Sequence, residues 1–573
     1  MSILDLKAAL ANTLSKAAEK EFPGAALTAA DIAAMFEYPP DASMGDIALP
    51  CFKMSKTLRA APPMIASKLA SALGESPLIS RCEQAGGYLN LYIAPERLCG
   101  DLLGEILAKG ENYGRSDIGK GKTAVFDYSS PNVAKPFHIG HLGTTVIGHS
   151  LKKLHEFAGY NCVGVNHLGD WGTQFGKLIV AYRKWGSKED IEKGGIDELV
   201  ALYVRFHKEA EEDPALEDMA RAEFANLENG DEENTRLWKW FIEISIAEYK
   251  KTYAQLGIEF DHYTGESFYY DKVEAVIDEL NEKKLTVLDK GATIVPLEDY
   301  GMPPCLILKS DGTTLYPTRD IAAALYRKRT FDFDKCIYVT SAGQCLHFSQ
   351  WFRVVGLMGY DWYKDLIHVP YGTVSINGAK LATRSGNVIL LKDLFAQAIE
   401  KVSGIIDEKN PDLENKDEVA QAVGVGAIVF HYLSNSRIKD INFMLEDALS
   451  FEGNTGPYAQ YTYARTCSII ERAGGVPTAY EVPENADTTE LELLKTLARF
   501  PEAALDALES YEPMMVTRYI LDVCAAFNRF YHECQILTDD KSLRDFRVSL
   551  TAAVSTVLGS ALELICMKKT PKI

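Results

Sequence analysis

Short strand-like runs alternate with helical stretches between about residues 113 and 370. The runs are rich in β-favouring residues and lie at 123–128, 161–166, 293–296, 305–309, 335–340 and 366–369. Strands that alternate with helices are typical of a parallel sheet with crossover connections. The sequence therefore predicts an α/β domain built on a doubly wound parallel sheet.

Two sections of different character flank this alternation. Residues 1–112 combine helical patterns with an alternating stretch at 88–93, which predicts a small α+β domain. Beyond about residue 400 the strand signals stop and helical periodicity continues, which predicts an all-α bundle. We therefore expect domains at 1–112, 113–400 and 401–573.

The formal charge of −20 argues against a general nucleic-acid coat, because binding to phosphates needs clustered cations. The acidity is regional, however. Residues 186–250 hold 8 Lys/Arg and 18 Asp/Glu, which predicts a solvated helical insertion over about 186–258 that points away from any bound nucleic acid. Residues 115–160 and 514–573 have net charges of +3 and +2, and leave room for such a partner.

Composition also indicates the cellular compartment in which the protein is expected. No run reaches the roughly 18–20 apolar residues of a membrane span. The first 22 residues predict an amphipathic helix with Ile3, Leu6, Leu10 and Leu14 on one face, unlike a signal peptide, and Asp5 argues against a transit peptide. The 11 cysteines include no CxxC pair, which favours a reducing cytoplasm over disulfides or a zinc site.

The segment 130–141 follows a predicted strand and opens a predicted helix, whose first N–H groups favour phosphate. His138 and His141 share one side of that helix and can donate hydrogen bonds to charge that builds on a phosphate. Gly140 lets a nucleotide approach the backbone, and Lys135 adds a cation. Two alternatives stay open: the histidines are metal ligands, although no third ligand has a recognisable spacing, or ordinary surface residues.

These residues carry a resemblance. His138-Ile139-Gly140-His141 resembles the HIGH signature of class I aminoacyl-tRNA synthetases, and SSPNVAKPFHIGH at 129–141 is similar to arginyl-tRNA synthetases in particular. Further similar strings follow in order: NHLGDWGTQFG at 166–176, LYPTRD at 315–320 and GPYAQY at 456–461. The similarity runs from about residue 46 to the C-terminus.

The resemblance implies a Rossmann-like class I catalytic domain, an N-terminal α+β domain that contacts tRNA, and a C-terminal anticodon-binding bundle. It implies an arginine–tRNA ligase that forms arginyl-adenylate from ATP and transfers arginine to the 3′ end of tRNA(Arg), releasing AMP and pyrophosphate. Magnesium would accompany ATP, no dedicated metal site is expected, and a monomer is the default.

The resemblance also assigns residues. The catalytic set is Lys135, His138 and His141, and the ATP-binding set is Pro136, Ile139, Gly140, Thr383 and Arg384. The substrate arginine would contact Asn132, Glu266, Tyr316, Asp320 and Gln344, and tRNA would contact Asn90, Tyr461 and Arg465.

A second signature, KMSK, is spelled by residues 53–56, ahead of HIGH, whereas class I enzymes carry it after the second half of the sheet. We interpret it as a chance match on a solvated face. The counterpart is the loop 382–387, where Ser385 replaces the last lysine of many relatives. Lys135 would substitute for that lysine, with Lys380 as a rival, and the alternative for Lys135 is a solvated turn.

A planar guanidinium with five donors is best held by paired carboxylates. The resemblance points to Glu266 and Asp320 for this role, with Tyr316 as a wall, and to Asn132 and Gln344 for the α-amino and carboxylate groups. Asp127 is a further candidate partner. The alternatives are that Asp320 caps a helix predicted at 320–329 and that Glu266 is a surface residue.

Tyr461 and Arg465 are four apart on one predicted helix, so they could present a stacking ring and a cation to RNA together. Phe527, Phe530 and Tyr531 form a second aromatic cluster, for which a core position is the alternative. Two other functions stay open: a synthetase for another amino acid, and a non-catalytic tRNA-binding relative. The need for tRNA during arginine activation is also open.

Overall fold

The computed structural model describes residues 3–24, 26–73, 76–376, 379–380 and 389–573. The predicted ATP-binding residues Thr383 and Arg384, with the rest of the loop 382–387, lie outside the described residues.

The N-terminal section is an α+β unit, as predicted. Its helices are α1 (Ile3–Glu21), α2 (Ala29–Ala33), α3 (Ser55–Leu58), α4 (Pro62–Leu73) and α5 (Leu103–Lys109), and its strands are β1 (Ile47–Pro50), β2 (Ile79–Ala85) and β3 (Tyr88–Ile93). The strands form an antiparallel sheet in the order β1-β3-β2. The apolar face of α1 is buried, and the predicted strand 88–93 is confirmed as β3.

The middle section contains most of the strands. Its strands are β4 (Thr123–Asp127), β5 (Asn161–Asn166), β6 (His262–Tyr263), β7 (Val287–Asp289), β8 (Ala292–Val295), β9 (Cys305–Leu308), β10 (Lys335–Ser341), β11 (Leu366–Tyr371), β12 (Val374–Ile376) and β13 (Ala379–Lys380). Its helices are α6 (Leu142–Phe157), α7 (Thr173–Trp185), α8 (Lys188–Gly194), α9 (Ile196–Glu212), α10 (Ala215–Glu228), α11 (Glu232–Leu256), α12 (Glu266–Tyr269), α13 (Val273–Glu282), α14 (Tyr316–Phe331) and α15 (Cys345–Leu357).

Five of these strands form the predicted parallel sheet, in the order β11-β10-β4-β5-β6. Every pairing in it is parallel, with Phe126 of β4 between Ile337 of β10 and Gly164 of β5. The predicted strands at 123–128, 161–166, 335–340 and 366–369 are thus confirmed as its members.

Two predicted strands do not belong to this sheet. The runs at 293–296 and 305–309 correspond to β8 and β9, which form a separate antiparallel sheet in the order β7-β8-β9. A parallel crossover takes about a dozen residues or more, and the segment 296–304 is too short to make one. The expectation that all the strand-like runs share one parallel sheet is therefore wrong.

The acidic segment is helical, as predicted, and consists of α8 to α11 between β5 and β6. Its last helix is not solvated. Ser245, Tyr249 and Tyr253 of α11 are buried, with at most 1 % of each residue exposed. The expectation of a solvated insertion is therefore wrong for α11, which packs against the centre of the molecule.

The C-terminal section is helical, with one exception. Its helices are α16 (Leu391–Lys409), α17 (Lys416–Leu433), α18 (Leu445–Ala448), α19 (Gly456–Arg472), α20 (Thr488–Ala498), α21 (Phe500–Glu509), α22 (Met514–Glu533) and α23 (Lys541–Leu564). A short strand, β14 (Ile441–Phe443), pairs in parallel with β12. The expectation of no strand beyond about residue 400 is wrong at this point, where three residues extend the small sheet β13-β12-β14.

Helix α6 is buried between the parallel sheet and the C-terminal helices. The hydroxyl of Thr144 donates to the Val339 carbonyl of β10 at 2.6 Å, and the hydroxyl of Ser150 donates to the Leu564 carbonyl of α23 at 2.7 Å. Gly148 makes the close approach possible, because a Cβ there would lie 2.3 Å from the Tyr128 Cβ. The helix therefore holds sheet and bundle together.

Substitution Gly148→Ala should lower the free energy of unfolding by about 1–3 kcal/mol, because the added methyl group overpacks the core. Thermal unfolding measures the effect as a lower midpoint. The control is Gly404→Ala in α16, where a Cβ meets nothing within 4 Å. That change should raise stability by about 0.5–1 kcal/mol through helix propensity alone. Equal midpoints for the two variants would contradict the packing argument.

Candidate active site

The loop after β4 adopts an unusual backbone. Ser129 and Ser130 have φ values of +69° and +48°, a region that side chains other than glycine rarely adopt. Local hydrogen bonds stabilise it: the Ser129 N–H donates to the Thr144 hydroxyl at 3.0 Å, and the Ser130 hydroxyl donates to Asp127 Oδ1 at 2.9 Å. The loop therefore leaves the sheet edge in a fixed direction.

Helix α11 clamps the same loop from the other side. The Tyr249 hydroxyl contacts the carbonyl oxygens of Asn132 and Lys135 at 2.7 and 2.8 Å, and the Ala134 N–H donates to the Ser245 hydroxyl at 3.1 Å. Sequence reasoning missed Ser245 and Tyr249. The sequence feature that could have indicated them is a pair of polar residues four apart on the helix that precedes β6. They lie in a segment that its charge had predicted to be solvated.

His138 and His141 lie together at the start of α6, with ring centroids 3.9 Å apart. The Gly140 N–H donates to His138 Nδ1 at 3.1 Å, and the His138 N–H donates to His141 Nδ1 at 3.2 Å. A neutral imidazole whose Nδ1 accepts a hydrogen bond carries its proton on Nε2. Both rings are thus arranged to present an Nε2–H donor.

Both histidines are kept neutral by their surroundings. Burial lowers the pKa of His138, and the nearby Lys135 charge lowers it further. Burial lowers the pKa of His141 to about 3, with smaller contributions from His138 and Lys135. The site combines two neutral donors with one cation.

The remaining residues of the signature differ in exposure. Lys135 is exposed, and Pro136 and Gly140 are half-buried. Ile139 is fully buried and its N–H donates to the Ile389 carbonyl at 3.2 Å, so its side chain belongs to the core.

The loop that follows β4 and contains the HIGH signature, residues 129–141, is called the signature loop. A cavity of about 920 Å³ lies beside it. Its lining includes three of the predicted arginine-binding residues, Asn132, Glu266 and Tyr316, and also Arg319. Asn132 packs on Gly169, where a Cβ would lie 2.1 Å from the Asn132 Oδ1. The fold thus brings together residues that lie up to 187 positions apart in the sequence, from Asn132 to Arg319.

Glu266 begins α12 and is largely buried rather than a surface residue, with 17 % of its side chain exposed. Its Oε2 accepts a hydrogen bond from Arg319 at 2.9 Å. Burial raises the pKa of Glu266 to about 7, and the Arg319 charge opposes the rise. The carboxyl group therefore titrates near neutrality and can change its charge with its surroundings.

Asp320 does not cap a helix. Helix α14 begins at Tyr316 with Leu315 as its N-cap residue, which places Asp320 in the second turn. Its Oδ2 lies 2.6 Å from His347 Nε2. Pro317 was the sequence signal that the helix begins before Asp320, because proline favours the first turn of a helix.

Gln344 is exposed at the N-terminus of α15. Among the residues that the structure describes, the cavity lining includes neither Gln344 nor Asp320. Three of the five predicted arginine ligands therefore line one cavity, and Asp320 and Gln344 lie outside it.

Asp127 is engaged by a partner that sequence reasoning missed. Its Oδ2 lies 2.8 Å from the Arg327 guanidinium, which is 1 % exposed. Arg327 also contacts His167 Nδ1 at 3.3 Å. The available signal was weak, because Arg327 begins the basic run Arg327-Lys328-Arg329 and only its position on the face of Ala323 and Ala324 sets it apart.

Known proteins match this chain in sequence and fold. The family model for the class I (R) tRNA synthetase catalytic domain matches residues 102–445, the arginyl tRNA synthetase N-terminal domain matches 4–93, and the DALR anticodon binding domain matches 459–572. The chain belongs to the arginyl-tRNA synthetases.

Individual relatives agree with the family models. An arginine–tRNA ligase of Alkaliphilus metalliredigens is 51 % identical over 94 % of this chain and 95 % of its own length. One of Clostridioides difficile is 50 % identical over 98 % and 99 %. The solved arginyl-tRNA synthetase of Thermus thermophilus covers 99 % of both chains with a TM-score of 0.84 at 24 % identity, and shows the shared fold.

In this synthetase the predicted RNA-binding pair on α19 forms part of a polar aromatic cluster. The Arg465 guanidinium lies 5.0 Å from the Tyr461 ring centroid and 4.9 Å from that of Tyr531. Arg465 also donates to Asn528 Oδ1 at 2.6 Å. Tyr461 and Tyr531 are 43 % and 40 % exposed, which leaves two rings at the surface with a cation between them.

Other predicted positions of the synthetase are less accessible. Phe527 and Phe530 are fully buried, so the core alternative is confirmed for both. Asn90 is 6 % exposed on β3, beneath the loop that contains Gly45, whereas its neighbour Tyr88 is 38 % exposed. The predicted tRNA residue Asn90 is therefore covered, and Tyr88 is the exposed side chain of that strand.

The early KMSK string lies on α3 and the turn before it, as expected for a chance match. Lys53 and Lys56 are exposed, Met54 is buried, and Lys53 pairs with Glu37 at 2.5 Å.

No helix among the described residues is both long and apolar enough to cross a membrane. Within the same residues, no group of three or more His, Cys, Asp or Glu side chains is placed to hold a metal ion.

The two signature histidines should stay neutral, with the proton on Nε2, at pH values below the usual histidine pKa of about 6.5. Histidine-selective ¹⁵N NMR measures both tautomer and titration, with His138→Asn and His141→Asn to assign the signals. The His138 signal should titrate below the usual value and the His141 signal near about pH 3, since burial disfavours the imidazolium. A signature histidine that titrates near its usual value would contradict the hydrogen-bond arrangement.

Proposed function

We propose that this chain is an arginine–tRNA ligase that activates L-arginine with ATP and transfers the arginyl group to the 3′ end of tRNA(Arg). One observation carries the proposal: two neutral histidine donors and a lysine stand at the carboxyl edge of a parallel sheet, beside a cavity that contains a buried carboxyl group. Family membership gives this arrangement its substrate class.

In the first step the arginine carboxylate attacks the α-phosphate of ATP, the bond to the β-phosphate breaks, and pyrophosphate leaves. The Nε2–H groups of His138 and His141, together with the Lys135 cation, stabilise the negative charge that develops on the phosphates. The terminal ribose hydroxyl of tRNA then takes the arginyl group and AMP leaves. No protein nucleophile is needed, because positioning and charge stabilisation supply the catalysis.

The arginine site is assigned to the cavity. Within it Glu266 receives the guanidinium, Tyr316 forms a wall and Asn132 holds the main-chain end of arginine. The proposal also gives Asp320 and Gln344, which lie outside the cavity lining, a share in holding the guanidinium and the α-amino and carboxylate groups. Pro136 and Gly140 border ATP, together with Thr383 and Arg384. An ionised carboxylate binds guanidinium strongly, and the partly excluded water strengthens the attraction.

Magnesium enters this proposal only as the ion that accompanies ATP and offsets the charge of its phosphates, with no protein ligand assigned. A cytoplasmic location is part of the proposal, supported by the 11 cysteines, all of which are free thiols. A monomer is proposed as well, and analytical ultracentrifugation tests it.

The decisive experiment is ATP–pyrophosphate exchange with each amino acid, in the presence and absence of tRNA(Arg). Exchange with arginine alone among the amino acids is the expected result. Exchange with a different amino acid would favour the alternative substrate, and tight tRNA binding without exchange or charging would favour a non-catalytic relative. Comparing the two tRNA conditions also settles whether tRNA must bind before activation.

Lys135→Ala should slow adenylate formation by about 10²–10³-fold, because one preorganised cation is lost beside the leaving pyrophosphate. Exchange kinetics measure the change, and an unaltered circular dichroism spectrum confirms the fold. Lys56→Ala in the early KMSK string is the matched control and should keep wild-type rates. Near-normal exchange in Lys135→Ala with slow exchange in Lys380→Ala would assign the role to Lys380.

We further propose that Tyr461 and Arg465 contact the anticodon loop and that the exposed end of β3 at Tyr88, two residues from the covered Asn90, faces the tRNA elbow. The support for the first contact is the pair of exposed rings that flank one guanidinium. Bases stack on aromatic rings, and Arg contributes cation–π attraction to the same bases.

Arg465→Ala should raise the KM for tRNA(Arg) by about tenfold, since each stacked base contributes about 1–3 kcal/mol. Steady-state aminoacylation with varied tRNA measures it. Arg472→Ala is the matched control, because Arg472 is exposed at the end of the same helix. Equal KM values for the two variants would remove Arg465 from the tRNA surface.

A further inference from the structure

The Arg319–Glu266 ion pair has no role in the function proposed so far. Arg319 lies on α14 and Glu266 on α12, with Nη1 and Oε2 2.9 Å apart. The two side chains are 20 % and 17 % exposed, and both line the cavity assigned to arginine. The protein thus places a guanidinium of its own against the carboxylate proposed to receive a substrate guanidinium.

The contact leaves half of the carboxylate available. Only Oε2 of Glu266 is engaged, and no described residue donates a hydrogen bond to Oε1. A carboxylate can accept a hydrogen bond at each oxygen, so Arg319 and a ligand in the cavity can bind Glu266 together. On the Arg319 side, Nε is buried without a hydrogen-bond partner in the described part of the chain, which marks this guanidinium as held in place by Glu266 alone.

The charges around Glu266 come from three elements. Arg319 and Asp320 face it from α14, and Asp170 faces it from the loop that follows β5. The two aspartates disfavour ionisation of Glu266 and burial disfavours it most, whereas Arg319 alone favours it. Without Arg319, three carboxyl groups would share a partly buried site, and like charges in such a site favour protonation.

We propose that Arg319 is a positioning residue for substrate arginine: it fixes one oxygen of Glu266 and favours the ionised form of the group, so that the other oxygen receives the substrate guanidinium. This inference rests on the proposed function. With Arg319 in place, the trio of Arg319, Glu266 and Asp320 carries a net charge of −1, which one substrate guanidinium neutralises.

The test uses the full chain and measures the KM for arginine in tRNA(Arg) aminoacylation from about pH 6 to about pH 9, the range in which a raised carboxyl pKa is visible. In the wild type, KM should rise as the pH falls through about 7, because protonation removes the charge of Glu266. In Arg319→Gln the rise should begin at higher pH. An opposite charge at this range lowers a carboxyl pKa by about 1–3, so loss of Arg319 should raise KM at pH 7 by at least about fivefold, and KM should recover at alkaline pH.

Two comparisons make the readout specific. Arg319→Lys retains the charge and should return the pH profile towards that of the wild type. Arg329→Gln is the matched control, because Arg329 lies exposed near the other end of α14 and outside the cavity. The KM for ATP should stay within about twofold of the wild type in every variant, since the change concerns the ionised fraction of one arginine ligand.

Three results would overturn the inference. A lower KM for arginine at every pH in Arg319→Gln would show that Arg319 competes with substrate for Glu266. A KM raised by one factor at all pH values would indicate a merely structural contact. If Arg319→Gln does not fold, Arg319→Lys serves as the test, and an acid limb displaced to higher pH despite the retained charge would contradict the proposal. A wild-type chain that charges no tRNA with arginine would contradict the proposed function instead.

Discussion

The buried ion pair between Arg327 and Asp127 fixes the geometry on which the site depends. Asp127 ends the central strand of the parallel sheet, and Arg327 comes from α14 with 1 % of its side chain exposed. The other oxygen of Asp127 accepts a hydrogen bond from the Ser130 hydroxyl, and Arg327 contacts His167, which follows β5. Removing two charges from water is costly, so such a pair persists only with good geometry, and loss of one partner costs about 3–5 kcal/mol.

This ion pair connects the two halves of the site, because one partner leads to each half. On one side, Asp127 leads through Ser129 and Ser130 into the loop that carries Lys135 and the two histidines. On the other side, α14 leads back from Arg327 to Asp320 and Arg319, which set the environment of Glu266. A shift of α14 against β4 would therefore alter the distance between the phosphate donors and the amino-acid cavity, and that distance decides whether carboxylate and α-phosphate meet.

Local periodicity made much of the fold predictable. The strands at 88–93 and 161–166 were predicted with their observed bounds, because each is a short run of β-favouring residues between turns. The partner of a strand is not a local property, so β8 and β9 were assigned to the wrong sheet. The same limit applies to α11, which lies in a segment whose negative charge comes mainly from the other helices, while its own buried hydroxyls hold the signature loop.

The same holds for the candidate site: the sequence indicates which residues belong to it but not which residues they contact. His138 could be named from the sequence because its type and spacing suit the chemistry, and Glu266 could be named through the resemblance to the family. Their ionisation could not, since it depends on contacts such as that of Glu266 with Arg319, 53 positions away. Burial disfavours the charged form of both groups: it keeps the histidines uncharged as donors, which suits their role, and it works against the charge that Glu266 needs. A single partly dry site therefore needs a counter-cation on its carboxylate side only, and that is where the fold places Arg319.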